Sequence, residues 1–377
     1  MAGIYLHIPF CKQACIYCNF HFSTSLQQKE KVLAAMLIEL KQNSNYLDSN
    51  NIDTIYFGGG TPSLLTTDEI SLLIDTIYRY YNISDLKECT LEANPDDLNK
   101  AYIKSLRNTA INRLSIGVQS FRDEDLYFMK RAHNASQADY SIKASQDAGL
   151  SLLSIDLIYG IPGLSNKAWQ QNIAKMHTLN IPHFSAYSLT VEKNTSLFHS
   201  INKKKTTNID ADQATEQFEI LMHECVQLGY EQYEISNFAL PGKHAIHNTN
   251  YWLGIPYLGI GPAAHSYNGN TRRWNIANNT IYASSITENN KIKAYEEETL
   301  TIYQQLNEYL MTSLRTMWGC DLNYIEKKWG IDIANNINKS SISFINRGQM
   351  LAENNILKLT TKGKLFADTI ASDMFIL

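Results

Sequence analysis

The feature that most constrains this chain is an alternation. In the first half, short apolar segments of strand character recur near Ile4–His7, Thr54–Phe57, Cys89–Glu92, Arg113–Ile116, Leu152–Ile158 and His183–Leu189. Stretches of helical periodicity lie between them. One spans about Gln27–Asn43, with Leu33, Met36, Leu37 and Leu40 at helical spacing. The next opens at Thr66-Thr67-Asp68-Glu69, where Thr66 followed three residues later by Glu69 reads as a capping box. Others run near Asn99–Thr109, Ser136–Ala148 and Lys167–Leu179. Six strand–helix units imply a parallel sheet with helices outside it. Two more units would be needed for a complete eight-unit barrel, and the sequence does not display them. The expected fold class is α/β, an open and partial (β/α)6 TIM-like barrel.

The rhythm changes after about residue 205. Lys203-Lys204-Lys205-Thr206-Thr207-Asn208 reads as a polar surface loop, Ala211–Leu228 as a helix, and Tyr230–Trp274 is rich in glycine and aromatic residues. The last part, from about Ala294, is helical and then turns through Gly348-Gln349-Met350-Leu351 and Leu357–Gly363, the pattern of a mainly α, winged-helix-like module. Three segments follow: 1–205 as the partial barrel, 206–293 as an extension, and 294–377 as the C-terminal module. The chain's 377 residues are enough to bury a large core. A net charge of −4, mixed also in the last module, gives no reason to expect nucleic acid as a partner. No apolar run approaches the roughly 18 residues of a membrane span. Ile4–Phe10 is too short, and lacks the basic flank, for a secretory signal. A reducing, cytoplasmic location is therefore expected. There, six cysteines point to metal or redox chemistry and not to a disulfide framework. Cys89, Cys225 and Cys320 stand alone and read as buried thiols.

Polar residues gather at or after the C-terminal ends of the expected strands. The cysteine loop follows the first, Gly58-Gly59-Gly60-Thr61-Pro62 the second, and Glu92 ends the third. Gln119 follows the fourth, Asp156 and Tyr159 lie on or after the fifth, and Ser188 and Thr190 end the sixth. Barrel enzymes build their sites on that face. Cys11-x3-Cys15-x2-Cys18 can bind three of the four irons of one cubane, leaving the fourth open to an exogenous ligand. The competing reading is zinc in a Cys3His set using His7 or His21, although a second, separated ligand pair is not visible. Phe10, Tyr17 and the glycine run favour the cluster. Glycines there let backbone approach a ligand closely, where the plain alternative is a tight turn. Taken singly, Glu92, Gln119, Arg131 and Asp156 read as surface charges or core hydrogen-bonding groups; together, at one barrel end, they form a site.

At these residues the chain resembles the radical S-adenosylmethionine superfamily. The resemblance implies a [4Fe–4S] cluster on Cys11, Cys15 and Cys18, with the amino and carboxylate groups of S-adenosylmethionine on the open iron. Ile4–Cys11, Phe57–Ser63, Ser115–Phe121 and Asp156–Gly163 are similar to the oxygen-independent coproporphyrinogen III oxidase group. That likeness implies that Tyr5, Gly59, Gly60, Thr61, Glu92, Gln119, Arg131 and Asp156 contact S-adenosylmethionine, with Tyr17 between cluster and ligand. Glu92 would accept from the ligand's ammonium or ribose.

Three features set the chain apart from the oxidases. Phe20 stands where they carry a further cysteine, their longer N-terminal extension is not seen here, and His247-Asn248-Thr249-Asn250-Tyr251-Trp252 resembles the HNxxYW motif of the HemW family of heme chaperones. The cysteine loop of that family also reads CxxxCxYCxF, with Asp often at the position of Asn19. The likeness implies heme contacts at His247, Asn248, Tyr251 and Trp252. Histidine is a common axial ligand to heme iron, and aromatic rings pack on porphyrin faces. Read alone, the same residues are a core histidine and a buried tryptophan. His244 and His265 are alternative ligands, and Gly259–His265 reads as a turn bringing backbone towards the cofactors. The first functional expectation is a chaperone that delivers heme to apo-haem proteins, membrane respiratory ones among them. The alternative is oxidative decarboxylation of coproporphyrinogen III, and a radical enzyme on another substrate is a third.

Overall fold

The computed structural model describes residues 1–48, 51–287 and 293–376; residues 288–292, in the expected extension, and Leu377, the last of the C-terminal module, lie outside the described residues. Side chains alternate along each strand of the first half, and here the alternation also sorts chemistry. In β1 (Gly3–Ile8), Ile4, Leu6 and Ile8 are buried in the apolar core, while Tyr5 turns to the inner side. In β2 (Thr54–Gly59), Ile55 and Phe57 join that core and Tyr56 faces inward. β3 (Glu88–Ala93) sends Cys89 and Leu91 to the core and Thr90 and Glu92 inward. β4 (Arg113–Gln119), β5 (Leu152–Tyr159) and β6 (His183–Ser188) repeat the pattern, with Arg113, Ser115, Ser154, Asp156, His183, Ser185 and Tyr187 inside. The helices α1 (Lys29–Gln42), α2 (Thr67–Tyr80), α3 (Lys100–Leu106), α4 (Asp123–Phe128), α5 (Ala135–Asp147) and α6 (Asn166–Thr178) connect these strands. The expected capping box is present: Thr66 Oγ1 accepts from Glu69 N at 3.2 Å and Glu69 Oε2 from Thr66 N at 2.8 Å.

Strands β1 to β6 lie side by side, all parallel, in one twelve-stranded sheet. The later chain extends both edges. After α7 (Ser196–Asn202) and α8 (Ala211–Gln227), β7 (Glu231–Glu234) and β8 (Asn237–Ala239) add antiparallel strands beyond β6. Helix α9 (Ile246–Trp252) follows, and β9 (Tyr257–Ile260) then pairs in parallel with β1. A seventh parallel strand was not visible in the sequence, because four residues containing a glycine carry no strand pattern. Gly259 is required there, since a Cβ would lie 2.0 Å from the carbonyl oxygen of His265. The segment read as a turn near the cofactors thus begins as strand, and Gly261, at φ +104, lies against the backbone of His7. β10 (His265–Tyr267), β11 (Thr271–Asn275), α10 (Asn279–Thr287) and β12 (Tyr295–Thr299) complete this edge.

The segment 243–247 meets the N-terminal ends of the barrel strands and closes the floor. Glu88 accepts from the backbone N–H groups of Ile246 and His247 at 2.8 and 3.0 Å. Arg113 donates to the carbonyls of Lys243 and His244 at 3.2 and 3.1 Å. The two side chains pair with each other at 3.0 Å and are 2% and 4% exposed. The remaining chain forms α11 (Ile302–Leu314), β13 (Cys320–Asp321), α12 (Leu322–Trp329), α13 (Ile331–Asn346), the hairpin β14 (Met350–Glu353) and β15 (Ile356–Leu359), α14 (Thr361–Lys364) and α15 (Ala367–Asp373). These elements share a second apolar core, built on Leu306, Leu310, Ile337, Phe344, Met350 and Ile370. Arg315 ties them to the barrel through Glu234 at 3.0 Å and also holds Asp368. Among the described residues no helix is long and apolar enough to cross a membrane.

Arg113→Ala leaves the Glu88 carboxylate buried without its cation, at a cost of roughly 3–5 kcal/mol for a broken buried pair. Urea unfolding of the variant measures this directly, and a loss below about 1 kcal/mol would show that the floor does not depend on the pair.

Candidate functional site

A cavity of about 660 Å³ opens at the C-terminal ends of the strands, and Cys11, Cys15 and Cys18 line it together with Tyr17, Gly59, Gly60, Thr61, Glu92, Gln119, Arg131 and Asp156. Every residue expected there is present except Tyr5. That tyrosine lines a second, inner cavity of about 210 Å³ with Tyr56, Arg113, His183, His247 and Tyr251. Glu92 and Asp156 border both spaces.

The cysteine loop is tied down at its start, where Cys11 N donates to Ser23 O at 3.0 Å and Ser23 N to Pro9 O at 2.9 Å. All three cysteines are free and partly exposed. Burial pushes the Cys11 thiol up to about 11, the neighbouring cysteines add to this, and the Thr61 side chain and the Arg131 charge oppose it. Burial likewise raises Cys18. Arg131 donates to Cys15 Sγ at 3.1 Å, to Gly117 O at 2.9 Å and to Asn94 Oδ1 at 2.5 Å. Burial works against its charge, yet Tyr17 and Cys15 hold its pKa above the ordinary value. Three free thiols lining one cavity, of which Cys11 and Cys18 are held protonated by burial and by their cysteine neighbours, stand beside a buried guanidinium and fit a cationic metal core that thiolates would hold. A single zinc ion fits less well. His7 Nε2 is engaged by His21 O at 3.0 Å and His21 Nε2 by Asn279 Oδ1 at 2.8 Å. Among the described residues no three His, Cys, Asp or Glu side chains converge on one ion position. A cubane accepts ligands that are spread around it.

The glycine run has a requirement of its own. A Cβ on Gly60 would stand 2.6 Å from Phe10 O, and one on Gly59, at φ +107, would stand 2.7 Å from the His7 ring. The glycines therefore seat the second loop directly on the backbone that leads into the cysteines. Gln119 adopts φ +67 where β4 shifts register against β5. Such a backbone costs about 1–3 kcal/mol in a non-glycine residue and is found where the surroundings impose it. Glu92 accepts from the Tyr56 hydroxyl at 2.7 Å. Burial pushes its carboxyl up to about 7, opposed by that hydrogen bond and by the Gly59 N–H and reinforced by Asp156. Asp156 is pushed up to about 6 by burial, against Ser185 and Arg131. Arg113 is already paired with Glu88, and Arg131, the other arginine or lysine among the described residues lining the two spaces, offsets Asp156 by its charge and leaves Glu92 without a cation. The arrangement is suited to receive a positively charged group.

The HNxxYW residues lie elsewhere, and none of them lines the cysteine cavity. His247 is 2% exposed. Its Nδ1 lies 2.8 Å from Thr54 Oγ1 and its Nε2 2.9 Å from the Tyr251 hydroxyl. Burial lowers its pKa to about 3, so the ring is neutral. Asn248 reaches the Tyr233 hydroxyl at 3.5 Å, and Trp252 has the Arg315 guanidinium 5.3 Å above its ring. His244 pairs with Glu231 at 3.0 Å, and His265 stacks on Trp274. The two expected groups of residues thus occupy the mouth and the floor of one barrel, with the inner cavity between them. Sequence reading passed over Thr54, Tyr56, Glu88 and Arg113. The signal for them was the polar residue at every second position of the strands.

The folded value of Glu92 lies above that of an unfolded carboxyl, so its protonated form is the stabilising one. That contribution is complete below the ordinary 4.5 and is lost as pH rises through about 7. Glu92→Gln should flatten this part of the melting temperature's pH dependence in the ligand-free protein. An unchanged slope would mean that the carboxyl ionises normally.

Comparison with known proteins places the architecture. Residues 5–175 match the model of the radical SAM superfamily. The chain is 32% identical to the heme chaperone HemW of Bacillus subtilis over 372 residues, 98% of each chain. It is 35% identical to the heme chaperone HemW of Escherichia coli over 265 residues, 70% of this chain and 69% of that one. The solved coproporphyrinogen III oxidase (HemN) of Escherichia coli, a radical SAM enzyme, superposes with a TM-score of 0.85 over 99% of this chain and 90% of that one, at 21% identity, which is a likeness of fold. By sequence, this chain belongs to the HemW family of heme chaperones, and its residues 5–175 carry the radical SAM match.

Proposed function

We propose that the chain is a heme chaperone that holds a [4Fe–4S] cluster on Cys11, Cys15 and Cys18, binds S-adenosylmethionine beside it, and passes heme to apo-haem proteins, membrane respiratory ones among them. The observation that carries this reading is the shared cavity, in which three free thiols face glycine backbone and two carboxyls that lack a full complement of cations. Its volume of about 660 Å³ lies within the usual range for small-molecule sites. When bound, the cluster supplies an open iron for the amino and carboxylate groups of S-adenosylmethionine. The chain's own residues do the rest. Gly59, Gly60 and Thr61 offer backbone to the methionine part, and Glu92 takes an ammonium or ribose hydroxyl. Gln119 and Asp156 hold further polar groups. Arg131 keeps positive charge against the thiolates, and Tyr17 stands between cluster and ligand. An oxygen-labile cluster with an open iron suits a reducing compartment, the cytoplasm in this reading.

The chaperone is preferred to the oxidase for a local reason. Phe20, 68% exposed, occupies the position of the oxidases' further cysteine and presents an apolar ring at the cavity rim. Heme itself needs another surface once the cavity is filled. Contact through His247, Asn248, Tyr251 and Trp252 requires α9 to leave the floor, because both ring nitrogens of His247 are engaged in the closed arrangement.

Anaerobic reconstitution should load about four iron and four sulfide per chain, and Cys11→Ala should abolish the cluster absorbance. Stoichiometric zinc without iron would end the cluster reading. The loaded protein, given coproporphyrinogen III, S-adenosylmethionine and reductant, should bind heme tightly in a parallel titration and release no decarboxylated porphyrinogen; product at a useful rate would make it an oxidase.

A further inference from the structure

The HNxxYW helix sits beneath the cysteine cavity, and its histidine is coupled to that cavity by a stack of rings. The imidazole of His247 lies 5.1 Å from the ring of Tyr56, at 25° between planes. On its other side Tyr56 meets Tyr5 at 6.0 Å, again at 25°. The Tyr56 hydroxyl, held at the end of this sandwich, donates to Glu92 at 2.7 Å. Nothing in this line is loosely placed. Glu88 grips the backbone N–H groups of Ile246 and His247, Thr54 and Tyr251 hold the two ring nitrogens, and Gly3 leaves the space the imidazole fills, since a Cβ there would come within 3.0 Å of its Cε1.

We infer that His247 is a positioning residue for ligand binding at the barrel mouth: it braces Tyr56, and Tyr56 sets the Glu92 carboxylate against the cationic or hydroxyl group of S-adenosylmethionine. This rests on the reading of Glu92 as a contact of that ligand. It gives the motif a task that needs no exposure of the histidine, which in the observed arrangement is buried and has both nitrogens occupied. The groups that face Glu92 are Tyr5 from β1, Tyr56 from β2, Asp156 from β5, Tyr187 from β6, Tyr251 from α9 and the Gly59 N–H, while the charge of Arg131 acts on Asp156. Tyr56 is the side-chain hydroxyl that stabilises the Glu92 anion, so moving it changes when that carboxyl ionises.

The test is S-adenosylmethionine affinity across pH, measured by calorimetry on the cluster-loaded protein, with the heme spectrum recorded alongside. Wild-type affinity should rise with pH as Glu92 ionises. Tyr56→Phe should weaken binding roughly tenfold at neutral pH, the scale of one hydrogen bond to a charged group, and move the midpoint upward by about one unit. His247→Ala should reproduce both effects, and His247→Phe, which keeps a flat ring under Tyr56, should return the midpoint towards wild type. A His247→Ala protein that melts lower but keeps the wild-type midpoint would reduce the histidine to a packing role and overturn the inference. So would loss of the heme spectrum in His247→Phe with the midpoint unmoved in His247→Ala, which would make the imidazole a heme ligand. If His247→Ala does not fold, an unshifted midpoint in Tyr56→Phe overturns the inference on its own. Glu92→Gln separates the two levels: unchanged affinity there removes the contact on which the inference stands, whereas weakened affinity there with normal His247 variants removes only the inference.

Discussion

A barrel whose inward side chains are tyrosine, serine, threonine, histidine, arginine and carboxylate cannot be held together from within. Most parallel barrels fill their interior with branched apolar side chains in layers. Here the apolar half of each strand faces the helices, and the polar half surrounds an inner space of about 210 Å³. Every group turned inward must find a hydrogen-bond partner, a counter-charge, water or a ligand, because an unpaired buried polar group costs about 1–3 kcal/mol. The architecture follows from that demand. The Glu88–Arg113 pair satisfies itself and uses its remaining capacity to hold the backbone of the closing segment. Glu92 and Asp156, higher in the barrel, have fewer partners and line the cysteine cavity.

Much of this was legible in the sequence. The six strands were found within a few residues of their ends, because β-branched and aromatic runs bounded by polar turns state their own period. The capping box at Thr66 and the helix from Ala211 were equally plain. The cysteine spacing, the glycine run and the polar ends of the strands predicted residues that the fold gathers around one cavity. What escaped was long-range. β9 is four residues long, contains a glycine, and owes its existence to the free edge of β1, which no local pattern announces. β7, β8 and β10 to β12 are short as well, and they build outward from the edges that β6 and β9 leave open.

The motif at 247–252 teaches a related lesson. A histidine followed by asparagine, tyrosine and tryptophan signals both a porphyrin contact and a buried aromatic cluster, and the residues themselves do not decide between them. Position does part of that work. A seven-residue helix held at its start by Glu88 and along its length by Thr54 and Tyr233 is a closure for the strands' lower ends. The polar positions that receive it, Thr54 and Glu88, are visible in the sequence only as the inward half of two strands.

Arg315 carries a structural consequence. Its guanidinium bonds Glu234 in the barrel wall, holds Asp368 at the rim of the cysteine cavity, and lies over the ring of Trp252 at the end of the floor helix. This fork joins other ties between the terminal module and the barrel, among them Met317 N to Tyr233 O at 3.0 Å and Lys364 Nζ to Gln232 Oε1 at 2.9 Å, and it reaches groups at both ends of the barrel. A substitution at Arg315 therefore removes a contact at the rim and a contact at the base together. The two openings of the barrel thus share one side chain that belongs to neither.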